Sequence, residues 1–365
     1  VTVGNGDATP ALVGDKLYVF TLQDGHEITR CLDAANGKEI WQDKYETKGA
    51  TPPAAGPHEG PRSSPAVVDG KVVTLGVRGK LSCLDAASGK KIWRKDEGEG
   101  AWPRFYVSSS PIIVNGMVIA QLGGGKNGAI VALDLATGEE KWKWTGDSPG
   151  YASPEILEVG GSKLIVAETE SKVVAVNAAD GKLAWEAPFT AERMNYNAAT
   201  PIVDGSTLIY GGGNRGFVAV KFEKQGDTFA AKELWKNKDN SVQFNTPVLK
   251  KDLLFAFSSG SQFFCVNAVT GKTAWTGPKP QAPVGGGGGG RGMGRGGYGS
   301  IVDAGSVLLA LTPSAELQVL EPSDKEFKEL AKYKVADSAT YAYPVVAGNR
   351  VFIKDNNSVA LWTIE

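Results

Sequence analysis

Apolar residues come along this chain in short runs that alternate with polar ones, and each run is broken by glycine, aspartate or asparagine. A period of two argues for half-buried strands, and the breaks are turn signals. The stretch from Ala66 shows the pattern most clearly. It predicts strands at Ala66–Val68, 72–76, Lys80–Asp85 and 91–94, with a tight turn between Asp85 and Gly89. There the Asp side chain can accept backbone N–H groups and Gly can take a positive φ.

The same pattern returns along the whole sequence. LDAANGKEIW ends at Trp41, LDAASGKKIW at Trp93, LDLATGEEKW at Trp142, VNAADGKLAW at Trp185 and VNAVTGKTAW at Trp275. In each phrase the Asp or Asn stands eight positions before the tryptophan. Upstream of each phrase a Ser- or Thr-Pro pair opens a β-rich run, at Thr9, Ser64, Ser110, Ser153, Thr200 and Thr246, with Tyr343-Pro344 a variant. Ser300 opens an eighth copy in which Ile301 replaces the proline. The prolines fall 43 to 55 residues apart, except for the double gap across Ile301. Fixed spacing with fixed grammar means repeated supersecondary units. Four short antiparallel strands per unit, arranged radially, predict an all-β, eight-bladed β-propeller comprising one domain over 1–365.

Two units are worn. The fifth runs through a long hairpin to Trp235, and the seventh has no tryptophan, so Tyr333 is expected to cover that surface. The eighth ends at its third strand while the chain opens with a spare strand-like VTV. Residues 1–3 are therefore expected to pair near 358–363 and close the ring.

The balance of 39 basic and 40 acidic residues gives no field for nucleic acid or an anionic membrane. No apolar run approaches a membrane span, and Val1 does not open a signal peptide, so any targeting segment lies outside this sequence. His26 and His58 are the only histidines, which excludes a histidine-rich metal cage, and without a CxxCH motif there is no c-type haem attachment. Cys31, Cys83 and Cys265 all stand two places before the Asp or Asn of the phrase, where other units carry Ala or Val. They read as small apolar packing residues. Scarce cysteine with much Thr, Ser and Gly points to a periplasmic or secreted bacterial protein.

The LDAxxGKxxW grammar resembles the PQQ-like β-propeller repeat family over nearly the whole chain. That family includes eight-bladed quinoprotein alcohol dehydrogenases and the outer-membrane assembly propellers of the BamB type. For the dehydrogenase branch the resemblance implies PQQ with Ca²⁺ and two adjacent cysteines over the cofactor. No two cysteines are adjacent here, and matching calcium ligands and a catalytic aspartate are not found, so those residues do not carry over.

The loops leading into the Ser/Thr-Pro step converge on one face. Three positions before the proline, or Ile301, stand Asp7, Arg62, Ser108, Tyr151, Ala198, Phe244, Tyr298 and Tyr341, with Tyr106, Tyr196 and Asn245 nearby. Aromatics and charges at one register predict a ligand mouth. The alternative is that they plug the channel. Two of these loops are long. The proline-rich one at 44–63 includes Pro52 and Pro53, and the one at 95–109 carries Trp102, Arg104, Phe105 and Tyr106 as a contact patch or a lid. The glycine-rich segment 278–299 reads as a flexible insert rather than an RNA-binding tail.

The expectation is a monomeric, non-catalytic binding or scaffold propeller, needing no cofactor or metal, whose partner is a protein or envelope polymer. The alternatives are a PQQ- and Ca²⁺-dependent alcohol dehydrogenase and a glycan- or polymer-binding propeller.

Overall fold

A computed structural model describes residues 1–51, 58–96, 100–192, 196–258, 260–278 and 299–364. Among these residues the strands form eight antiparallel sheets, seven of four strands and the last of three. The blades span 11–46, 66–96, 112–144, 155–188, 202–237, 248–276, 300–334 and 345–363. Within each sheet the strands follow chain order, every neighbour joined by a hairpin. Second and third strands are buried almost throughout, whereas fourth strands such as Glu39–Glu46 alternate towards solvent. First strands of successive blades touch one another, which places them at the axis.

The repeated phrase holds neighbouring blades together as well as shaping its own. Asp85 Oδ1 accepts the N–H groups of Ala87 and Ser88, and Asp33, Asp134 and Asn267 do the same in their blades. These Asx turns release Gly89 into φ +72°, where its missing side chain lets the indole of Trp41 lie against it. A Cβ on Gly89 would stand 2.5 Å from that ring. The same meeting recurs between Gly138 and Trp93, Gly181 and Trp142, and Gly271 and Trp235. Each of these indoles then donates its Nε1–H to a backbone carbonyl of the next blade: Trp41 to Ala86, Trp93 to Leu135, Trp142 to Ala178 and Trp235 to Ala268, at 2.8–3.1 Å. Large buried rings with their one polar hydrogen satisfied make strong seams.

Opposite each tryptophan sits the small residue of the third strand. Cys31 pairs with Trp41, Cys83 with Trp93 and Cys265 with Trp275, and a register shift follows immediately in each case. The bulge turns the fourth strand so that its ring reaches the next sheet. All three thiols are free and buried, and burial pushes Cys83 up to about 11 and Cys265 to about 12.

One expectation about the worn units is corrected. Tyr333 does not take the tryptophan's place: the bulge at Val319 sets Ala331 opposite that residue, and Tyr333, beside Leu317, is 56% exposed. The seam is made from the other side, by Trp362 of the eighth blade donating to the Val335 carbonyl. The long hairpin of the fifth blade does keep the expected pairing, Ala219 with Trp235.

Residues 1–3 lie beside the last blade. Thr2 forms an isolated antiparallel bridge with Ser358, and Val1 and Val359 exchange both backbone hydrogen bonds, at 2.8 and 2.9 Å. Val3 is fully buried among Leu17, Leu32, Phe352 and Val359, between the first and eighth blades. The glycine-rich insert lies outside the described residues apart from its two ends.

Candidate functional site

The Ser/Thr-Pro step that opens each blade also builds the floor of an axial cavity. Thr9 N–H donates to Ser64 Oγ, Ser64 to Ser110, Ser110 to Ser153, Ser153 to Thr200 and Thr200 to Thr246, at 2.9–3.2 Å. The seventh blade, where Ile301 broke the pattern, is skipped. Thr246 N–H instead reaches the phenol oxygen of Tyr343 at 2.8 Å, and Tyr343 N–H returns to Thr9 Oγ1 at 3.0 Å. A tyrosine in the hydroxyl slot is long enough to span a blade, which a serine is not. Proline after each hydroxyl residue leaves no backbone N–H unpaired at the axis.

Above this floor opens a cavity of about 430 Å³. Asp7, Arg62, Tyr151, Tyr196, Phe244 and Tyr341 line it, joined by His58, Phe105 and Tyr343. Phe105, Tyr151 and Tyr196 pack edge-on or tilted at 5.0–6.1 Å between centroids, and Phe244 continues the wall 6.4 Å from Tyr196. Tyr151 and Tyr196 also line a second, outer concavity beside Trp102 and Arg104. Burial raises the Tyr151 and Tyr341 phenols above their ordinary pKa, so both stay neutral at physiological pH.

One side of the wall is charged. His58 Nδ1 lies 2.6 Å from Asp7 Oδ2, and the edge of Tyr341 packs on the imidazole at 4.5 Å. An ionised carboxylate only accepts, so Nδ1 carries the hydrogen. Arg62 donates to the carbonyls of Phe105 and, at 2.8 Å, of His58, tying both long loops to the funnel. Burial lowers its pKa, with Asp7 opposing.

Three sequence candidates stand elsewhere. Tyr106 is buried at φ +66°, stacked 5.6 Å from Trp102 under the Arg78 guanidinium, with its hydroxyl on Thr51. It locks the loop and leaves Phe105, its neighbour, to face the cavity. Trp102 likewise packs against the core of the second and third blades, as a lid would. Asn245 is buried and hydrogen-bonds both backbone groups of Phe257, at 2.8 and 3.2 Å. Tyr298 lies outside the described residues. His58, Phe105 and Tyr343 were not singled out at the mouth by the sequence. Tyr343 alone left a signal, as the one aromatic in the hydroxyl slot.

A quinone held with Ca²⁺ requires several oxygen ligands. Among the described residues Asp7 is the one acidic side chain in the cavity lining, and it is already engaged by His58. Among the described residues no group of three or more His, Cys, Asp or Glu could hold a metal. The residues present do not fit that pair, and no step is assigned through it.

Radial sheets, interlocked tryptophans and an axial funnel define a PQQ-like β-propeller. A family model described as outer membrane protein assembly factor BamB matches residues 24–277, and the chain belongs to this family. It is 24% identical over 372 residues to outer membrane protein assembly factor BamB of Burkholderia pseudomallei, covering 96% of this chain and 83% of that protein. It is 30% identical over 141 residues to quinohemoprotein alcohol dehydrogenase of Comamonas testosteroni, covering 38% of this chain and 19% of that enzyme. The chain thus spans about a fifth of that dehydrogenase relative. Among solved structures, BamB from Moraxella catarrhalis superposes with TM-score 0.73 at 15% identity, over 100% of this chain and 98% of that one, a likeness in fold.

Proposed function

We propose that this protein is a non-catalytic, extracytoplasmic scaffold that docks a protein partner on the face bearing the funnel. The observation that carries this reading is the extent of the match. The BamB relative aligns over most of both chains, whereas the dehydrogenase aligns over a fifth of its length. Two features of the molecule support it: the poor fit of the funnel to a calcium-bound quinone, and thiols scattered through three separate blades. In the described residues no helix is long and apolar enough to cross a membrane. The local 30% identity favours, as a second reading, a quinoprotein alcohol dehydrogenase.

Pull-down from envelope extract tests the first reading. Arg62→Gln with Tyr341→Ala should abolish capture, while changes in the Asp-to-Gly turns of the opposite face leave it intact; the reverse pattern rejects the assignment of the face. The second reading is tested by adding PQQ and Ca²⁺. A ligand bound only to the folded state contributes about 2.7 kcal/mol at a hundredfold excess over Kd. No rise in melting temperature is expected, and a clear rise with dye-linked alcohol oxidation would replace the scaffold by the enzyme.

A further inference from the structure

The floor of the funnel carries donors that nothing among the described residues accepts. Thr9, Ser64, Ser110, Ser153, Thr200 and Thr246 each use their hydroxyl oxygen to accept one backbone N–H. A hydroxyl in that position still has its own hydrogen to give. All six line the cavity, and no hydrogen bond from any of these O–H groups to a protein acceptor is present among the described residues. Six unpaired O–H groups therefore surround the axis at one level.

Two residues nearer the mouth, about 6–7 Å of extended chain at ~3.3 Å per residue, stands Arg62. Its guanidinium gives hydrogens to two carbonyls, and among the described residues no carboxylate lies within ion-pair distance of it. Asp7, the acid of the lining, is turned to His58. Lys354 lies buried near Asp7, and the Arg104 guanidinium sits over the Phe105 ring. Among the described residues that line the cavity, Arg62 is thus a cation that no carboxylate meets at ion-pair distance. A half-buried guanidinium above a ring of hydroxyl donors is complementary to a carboxylate, for which both tiers supply charge-assisted bonds. The surrounding aromatic wall is complementary to an apolar stem and neighbours.

We infer that the funnel receives an acidic segment of the protein partner. One Asp or Glu side chain descends the axis until its carboxylate lies between Arg62 and the hydroxyl floor, with flanking residues against Phe105, Tyr196 and Phe244. This rests on the proposal that the face docks a protein. Phe244, 43% exposed, extends the apolar wall beyond the cavity, within reach of a peptide's flanking residues but not of a single small acid.

The test uses the full chain and a fluorescein-labelled peptide, Gly-Phe-Glu-Phe-Gly, against its Gln counterpart, with affinities from fluorescence anisotropy. The Glu peptide should bind about tenfold or more tightly, the scale of a hydrogen bond to a charged group. Arg62→Gln should collapse the difference, and Ser110→Ala with Ser153→Ala should reduce it. Equal affinity of the two peptides for the unaltered protein, or binding of neither, overturns the inference without relying on any variant. So does free glutarate competing at the peptide's own affinity, which would make the funnel a pocket for small acids. Capture from envelope extract is read separately. Capture without Glu/Gln discrimination overturns the acidic docking alone, and discrimination without capture overturns the protein partner.

Discussion

The tryptophan belt and the axial funnel are both rings built at a fixed register of the repeat, and they differ in what fills that register. In the belt the same indole, glycine and carbonyl meet at seam after seam. In the funnel one register carries Asp7, Arg62, Ser108, Tyr151, Ala198, Phe244 and Tyr341 in turn. Identical residues can serve only what every blade needs, which is adhesion to its neighbour. Differing residues at one level give a surface that is not eightfold symmetric, and only such a surface can hold a partner in one orientation.

If adhesion resides in the belt, truncating it should be costly. Trp93→Ala should lose about 3–5 kcal/mol, by removing a buried ring from the seam of the second and third blades. Trp102→Ala, in a loop beside the funnel, should lose well under half of that. Urea denaturation of both variants makes the comparison, and equal losses would show that the loop tryptophan belongs to the core.

The two regions should also respond differently to pH, because the belt contacts are neutral and the axial end buries charge. Lys354 is buried with its ammonium on the carbonyls of Gly6 and Asp355, and desolvation brings its pKa down to about 8, with Asp7 and Asp355 opposing. Below pH 8 the lysine is charged in both states and its full burial cost is present. Between 8 and its ordinary value the unfolded chain binds more protons, so stability rises with pH, by on the order of 3 kcal/mol in all. Urea midpoints should therefore climb from pH 8 to 10 in the natural protein relative to Lys354→Met. Parallel profiles would remove the lysine from this role.

At the seam between the eighth and first blades the two rings meet different partners. Near the axis Tyr343 bonds to Thr9, while further out, in the segment 1–3, Thr2 forms an isolated bridge with Ser358. If that segment closes the ring, Val3→Ala should cost about 2 kcal/mol, the scale of a buried valine, and Val1→Ala almost nothing. A neutral Val3→Ala would mean that the hydroxyl ring alone holds the seam.

How much the sequence revealed follows the same division. Strand starts, blade number and the aromatic register were readable because they recur, and recurrence is visible without a structure. Tyr333 was misplaced because a bulge at Val319 decides which residue faces the seam, and a bulge leaves no composition signal. Tyr106 and Asn245 were grouped with the mouth through sequence proximity, but side chains one residue from a lining position point away from it. His58 and Phe105 reach the cavity from long loops whose paths are set by Arg62 and by the Trp102–Tyr106 stack, contacts between distant positions. The hydroxyl ring was written in every Ser/Thr-Pro pair. Its meaning appeared only once neighbouring blades were in place.

The finest test of the belt separates a glycine's turn from its contact. Gly89 and Gly70 both take positive φ, +72° and +70°, so alanine is strained at either position by a similar amount. They differ in surroundings. A Cβ on Gly70 would meet nothing within 4 Å, while one on Gly89 would drive into the Trp41 ring. Gly70→Ala therefore measures the backbone alone, and Gly89→Ala adds overpacking of the seam, typically about 1–3 kcal/mol. The difference between the two losses in urea is the quantity to read. If it vanishes, the indole moves aside freely and the glycine of the phrase serves only its own turn. If it persists, the glycine of one blade is there for the tryptophan of the previous one, and the repeat is a rule about pairs of blades.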